Sequence, residues 1–374
     1  MKNIHAIFPA AVLAFASLAA PLAHAVQVVV GEVCAMSGLE ANQGRAYGTG
    51  MQLYFDAVNK GGGVNGHTFS LVRKDDGGLP TETVALTRKV LAEDNPMVLA
   101  GYFGNSNIED LAASGVLEKN QIALIGYRVT QIRPDTPYLY NVRAGLQDEL
   151  DRFVEHVATV GIKRIGLFYE EGPGAAALLA AAEAAAKKAG LTLVAKASYP
   201  ARTSQVAKAV ETMTTAAPQA IFMVSTGAAA AGFIENYGRA GAQLFAHSGV
   251  DIEQLTKRLA EEQMQGVSIA QVTPNPYKIA NRLSKEFQEA AAAKKTLEVP
   301  MSYAMMEGYI TAKVIVEAVR RQGAKPTREG MARTLDAMDR FDMGGYVVGY
   351  KPGSRTGSKF VELSIISGTG KIRQ

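Results

Sequence analysis

The chain has 374 residues, of which 48% are hydrophobic and 20% charged, an ordinary balance for a soluble globular protein. That length exceeds what one compact core usually organises, so two domains are expected. The net charge of +4 is spread along the chain with no Lys/Arg block, which gives nucleic-acid binding no support.

The first 25 residues stand apart. Lys2 precedes an apolar run over residues 6–20, broken only by Pro9 and Ser17, and Pro21-Leu22-Ala23-His24-Ala25 carries an A-x-A cleavage pattern. This predicts a secretory signal peptide cut after Ala25, hence an exported, periplasmic protein. No later stretch is apolar for long enough to span a membrane.

Strands and helices then alternate. Strands are expected over 26–33, 68–74, 97–103 and 122–127, and helices over 44–60, 80–93 and 106–118. Gly61-Gly62-Gly63 closes the first helix, and Pro80 sits in the first turn of the second. After residues 140–145 the pattern repeats, with strands at 164–169, 192–199, 220–224, 243–247 and 267–272. Helices are expected at 174–190, 204–217 and 228–241, with a short one from 252. Two such blocks predict two doubly wound α/β lobes, each a parallel sheet covered on both faces. Pro274-Asn275-Pro276 looks like a linker, followed by helices at 277–293, 304–321 and 327–338. The runs 345–350 and 359–366, around KPGSRTG, are read as an antiparallel hairpin with a long turn.

The chemistry of catalysis is sparse. His67, His156 and His247 are scattered without metal-ligand spacing, and His5 and His24 fall in the leader. There is no G-x-S-x-G elbow, and residues 353–359 lack the ending of a phosphate loop. Cys34, the single cysteine, has no neighbouring cation or histidine to activate it and lies too far past the leader for a lipid anchor. It is expected to be a small buried residue at a strand end. No catalytic residue, cofactor or metal is expected.

The polar residues fall at strand ends, where open α/β sheets bind ligands. Those ends include Ser37-Gly38, Asp75-Asp76-Gly77, residues 102–106, residues 126–130, Tyr169-Glu170-Glu171, Ser225-Thr226 and residues 247–251. Asn105 and Ser106 open a helix, where they either cap it or cap it and touch a ligand. Arg128 either forks onto a carboxylate or is a surface arginine. Asp75 and Asp76 are expected to orient a turn.

Taken together, the stretches MSGLEANQGRAYGTGMQLYFDAVNKGGGVNGHTFSLVRKDDG, LAGYFGNSN, YLYNVRAG, KRIGLFYEE and YAMMEGYITAKVIVEAV carry a resemblance. In their order and spacing the mature chain resembles the solute-binding proteins of branched-chain amino acid ABC transporters, the leucine/isoleucine/valine-binding family. The resemblance implies a type I periplasmic binding protein fold, with two lobes joined by three crossings and closing on a solute like a hinged trap. It places lobe one at 26–143 and 273–340, and lobe two at 144–272 and 341–374, the last part as the terminal hairpin.

In this family a Ser after the third strand and groups after the fourth hold the solute carboxylate. Those positions correspond to Asn105, and to Arg128 and Thr130. Aromatic positions of lobe two carry Gly174 and Thr226 here, and the acid that meets an ammonium aligns near Gly249, with Asp251 two residues on. These departures point away from a free branched-chain amino acid and toward another carboxylate, an amide or an aromatic acid. The expected ligand residues are Ser37, Gln43, Tyr102, Asn105, Ser106, Arg128 and Thr130 from lobe one. Lobe two adds Tyr169, Thr226, Ser248 and Asp251, and Tyr303 lies near the return to lobe one. The implied partners are a small solute and a membrane permease, with the protein itself a monomer. A sensor of the same fold, or an exported α/β enzyme, are the alternatives.

Overall fold

The computed structural model describes residues 25–131, 133, 135–238, 241–351, 353–367 and 372–373. The expected leader lies outside the described residues except for Ala25. The first strand, β1 (Gln27–Cys34), is QVVVGEVC, an apolar run suited to burial on both faces. It pairs in parallel with β2 (Thr68–Asp75) and β3 (Val98–Phe103), and β4 (Leu124–Arg128) and β5 (Leu139–Tyr140) extend the sheet. The order is β2-β1-β3-β4-β5. Helices α1 (Ala41–Lys60), α2 (Pro80–Glu93), α3 (Asn105–Ala113) and α4 (Val116–Lys119) connect these strands. A single helix was expected over 106–118, but the chain breaks at Gly115, which adopts φ +63° and separates α3 from α4.

The second sheet repeats the first. Helix α5 (Leu146–Thr159) leads into β6 (Arg164–Glu170), followed by α6 (Ala175–Lys188), β7 (Thr192–Tyr199), α7 (Ala207–Ala216) and β8 (Ala220–Val224). Then come α8 (Gly227–Tyr237), β9 (Gln243–Ala246), α9 (Ile252–Arg258), α10 (Glu261–Met264) and β10 (Ser268–Gln271). The parallel part runs β7-β6-β8-β9-β10, the same second-first-third-fourth-fifth order as in lobe one. Each sheet therefore has a switch point beside its first strand, where a crevice opens at the carboxyl ends.

Both faces of both sheets are packed. In lobe one, Val28, Val30, Tyr47 and Met51 share a core with Met305, Ile310 and Ile315, while Val33, Leu99, Ile108 and Leu124 fill the opposite face. In lobe two, Phe168, Phe233 and Met223 lie on one side, and Phe153, Leu167 and Phe222 on the other. The lobe-one core depends on helices α11 (Arg282–Ala292), α12 (Tyr303–Gln322) and α13 (Arg328–Asp336), which return from lobe two. Helices α1 and α12 approach so closely that a Cβ at Gly50 would meet the carbonyl of Met305, and one at Gly308 the carbonyl of Tyr47. Among the described residues no helix is long and apolar enough to cross a membrane.

The tail departs from the expected hairpin. Strands β11 (Phe341–Asp342), β12 (Val347–Lys351) and β13 (Ser354–Gly357) make a separate small antiparallel sheet. Its Tyr346, Val348 and Tyr350 pack into the lobe-one core. Strand β14 (Glu362–Ile366) instead pairs antiparallel with β10 in the lobe-two sheet, followed by β15 (Ile372–Arg373). The two β runs that sequence reading paired with each other thus belong to different sheets. Burial of the tyrosines decides the first run, and the open edge of β10 captures the second.

The chain passes between lobes at 141–145, 272–281 and 358–361. Tyr346, wholly buried, shares its hydroxyl hydrogen between the carbonyls of Val142 and Val272, at 2.9 and 2.8 Å, one in each of the first two crossings.

Candidate functional site

A cavity of about 80 Å³ lies between the lobes at the two switch points. Lobe one lines it with Glu40, Gln43, Phe103, Gly104, Asn105, Arg128, Val129 and Thr130. Lobe two contributes Glu170, Ser225, Thr226, His247 and Gly249, and Arg143 of the first crossing forms part of the floor. The lobes touch around it. Gln43 Nε2 donates to the Gly249 carbonyl at 3.2 Å, Asn105 Nδ2 to Glu170 Oε2 at 3.0 Å, and Arg128 Nη2 to the Ser248 carbonyl at 3.3 Å.

The floor is a buried charge network. Arg128 extends from the end of β4 past the Phe103 ring, and its Nε lies 3.4 Å from Glu307 of α12. Arg143 faces the same carboxylate at 3.6 Å and donates to Glu149 of α5 at 2.8 Å. Ser248 joins the set: its hydroxyl accepts from Arg143 and donates to Glu149, and its N–H donates to Glu149 at 2.7 Å. All four charged side chains are at most 7% exposed, so each charge needs its partner. Although burial disfavours the charged Arg143, the flanking Glu307 and Glu149 outweigh it and hold the guanidinium above its ordinary range.

The walls are of different character. Glu40 accepts from Gln43 at 2.8 Å, and its other oxygen, Oε1, is cut off from solvent with no hydrogen-bond partner. Burial, and then the neighbouring Asp251, push its carboxyl up to about 7. Burial also raises Glu170, which accepts from Asn105 and from the Arg202 N–H. Ser225 is 0% exposed and its hydroxyl has no partner. Burial lowers His247 to about 4, so it is neutral at pH 7. Its Nδ1 accepts from the Gly249 N–H, which assigns the proton to Nε2, donated to the Ser225 carbonyl at 2.9 Å.

Of the residues singled out from sequence, the structure gathers Gln43, Asn105, Arg128, Thr130 and Thr226 onto the cavity, with Ser248 immediately beneath. Asn105 does not cap its helix: Gly104 holds that position without a side-chain bond, and Asn105 instead accepts from the Thr130 N–H and reaches Glu170. Thr226 caps α8 and faces the cavity as well. The remaining residues lie elsewhere. Ser37 is exposed on the lip beside Asp75. Tyr102 is buried behind the sheet, its hydroxyl 3.0 Å from that of Thr87. Ser106 and Tyr169 do not line the cavity. Asp251 caps α9, and Tyr303 packs into the lobe-two core beside Tyr277. Asp75 and Asp76 orient turns, accepting from Gly77 and Gly78 respectively. Cys34 is buried, and burial raises its thiol.

Sequence reading passed over Glu40, Arg143, Glu170, Ser225, His247 and Gly249 as ligand residues. Four of these adjoin a residue that was chosen, in lobe-two strand ends already marked as candidates.

Residues 27–358 match the family model described as periplasmic binding protein. A crystal structure of a substrate-binding periplasmic protein from Ralstonia solanacearum superposes with a TM-score of 0.86 at 35% identity, covering 93% of this chain and 99% of that one. The Leu/Ile/Val-binding protein homolog 8 of Brucella abortus is 24% identical over 345 residues, covering 86% of this chain and 83% of its own. An amino acid binding protein of Pseudomonas aeruginosa is 30% identical over 114 residues, 30% of either chain.

Proposed function

The chain belongs to the periplasmic binding protein family, of the Leu/Ile/Val-binding type, and on that premise we propose that it is the solute-binding component of an ABC importer. In this reading it is exported by its leader, captures a small carboxylate-bearing solute between its lobes and delivers it to a membrane permease, without catalysing a reaction. The observation that carries the reading is the small cavity at the two switch points, lined from both lobes and bridged by hydrogen bonds across the cleft.

Closure follows from the placement of donors. Arg128 is a buried guanidinium whose donors now go to Gln43 and to the Ser248 carbonyl. A carboxylate entering the cavity takes over those donors as charge-assisted bonds, which are stronger than bonds to neutral acceptors. Solute contacts to both walls favour the closed form, so binding and closure are one equilibrium.

The test is thermal denaturation of the mature protein against small amino acids, amides and carboxylic acids. A bound solute raises the melting temperature by mass action. Arg128→Ala is expected to weaken binding of a carboxylate solute by at least about tenfold, the loss of one charge-assisted pair. Undiminished binding in that variant defeats the carboxylate assignment.

A further inference from the structure

Resting on the capture reading above, we propose that Gln131 and the Gly172-Pro173-Gly174 turn form a closure latch outside the solute cavity. This latch sets the affinity for every solute by the same factor, whatever the solute's chemistry.

The latch begins where β4 ends. The chain runs on from Arg128, and the Thr130 N–H is fixed to Asn105 Oδ1 at 2.8 Å. Gln131 follows and is only 6% exposed. Its Nε2 donates to the Pro173 carbonyl of lobe two at 2.7 Å. Its Oε1 accepts from Arg133 Nη1 at 3.0 Å, and the same nitrogen reaches Glu109 of α3 at 3.0 Å. A guanidinium can only donate, so Arg133 fixes which end of the amide is oxygen and turns the NH2 group toward lobe two.

Lobe two is shaped to receive it. Past Glu170 the chain turns through Gly172 and Gly174, at φ +130° and +83°, before α6 begins at Ala175. A Cβ at Gly174 would lie 2.8 Å from Gln131 Cγ and 3.2 Å from its Cβ and Cδ. The glutamine side chain therefore lies against backbone that only a glycine leaves bare in this conformation.

Gln131 does not line the cavity, whereas the other cross-cleft donors Gln43, Asn105 and Arg128 all do. A solute competes for those three donors and leaves the bond from Gln131 to Pro173 intact. That bond joins the two lobes, so it favours the closed form with or without an occupant, and the apparent affinity follows the closed fraction. A residue that touches solute changes affinities unequally; a latch changes them equally.

Spin labels at Lys89→Cys in lobe one and Lys208→Cys in lobe two, with the buried Cys34 left unlabelled, read the distance between the lobes of the mature protein without solute. The parent is expected to show a closed and an open population, and Gln131→Ala to lower their ratio about fivefold, the loss of one hydrogen bond. Gln131→Glu keeps the size and the Arg133 contact but turns a carboxylate onto the Pro173 carbonyl, and is expected to open the lobes at least as far. An unchanged ratio in both variants overturns the latch, as does a free parent with no closed population. In calorimetric titrations with leucine, 4-aminobutyrate, benzoate and acetamide as probes, Gln131→Ala is expected to weaken each probe that binds by that same factor. Unequal weakening overturns the latch, because Gln131 would then be touching solute. If no probe binds, the capture reading is what fails, and the label distances still decide the latch.

Discussion

Lobe one and lobe two share a strand order but face the cleft with opposite chemistry. The lobe-one wall presents Arg128 and the amides of Gln43 and Asn105, with Glu40 at its edge. The lobe-two wall presents Glu170, Ser225, Thr226 and the Gly249 carbonyl, which accept and carry no cation. Their cores differ too. Lobe one is tied by the glycine contacts between α1 and α12, whereas the alanine-rich α8 of lobe two has one glycine, Gly232, with room for a Cβ. Topology therefore fixes where a cleft forms, and the residues at the strand ends decide what each wall offers.

The contrast between the cores can be broken first. Gly308→Val drives a branched side chain into the backbone of α1 and is expected to cost about 4 kcal/mol in urea denaturation. A Cβ at Gly232, in α8 of lobe two, meets nothing closer than 3.5 Å. Gly232→Ala is therefore expected to stabilise, as the smallest effect here, by about 0.5 kcal/mol through helix propensity.

Between these extremes lies the network shared by the lobes. Glu307→Gln leaves Arg128 without a carboxylate and Arg143 with only Glu149, and is expected to destabilise by about 3 kcal/mol in the same assay. Glu40→Gln should do the reverse. The carboxyl of Glu40 is raised from 4.5 to about 7 in the folded chain, so folding binds a proton between those values and stability falls as pH rises through them. The cost is absent below pH 4.5 and complete above pH 7. The variant should melt about 2 °C higher than the parent at pH 8, where about 1 kcal/mol is regained, and at the same temperature at pH 4.5. A gain at both pH values would mean that Glu40 is not held at a cost when ionised.

Much of the fold was legible because buried parallel strands such as AIFMV and VLAGYF are continuous apolar runs between helical periodicities. The lobe-one wall was legible for a related reason, since its strand ends run directly into helices. Lobe two shows the limit. Side chains alternate across a strand, so a choice displaced by one residue selects the opposite face. Tyr169 was chosen and packs inward, while Glu170 at the end of β6 faces the cavity; past the end of β9 the chain turns, and there His247 and Gly249 line the cavity while Ser248 lies beneath. Arg143 lies in a crossing and Glu40 in a loop, and neither position has a periodicity to betray it. The pairing of β14 with β10 spans nearly a hundred residues, and no local turn signal specifies it.

Tyr346 gives the junction between the lobes a mechanical character. One hydroxyl proton serves two carbonyls, one in each of two crossing segments. Neither segment can slide past the other by more than a hydrogen bond stretches without abandoning the tyrosine inside a dry core. The tyrosine thereby rivets the first two crossings to each other through one buried side chain.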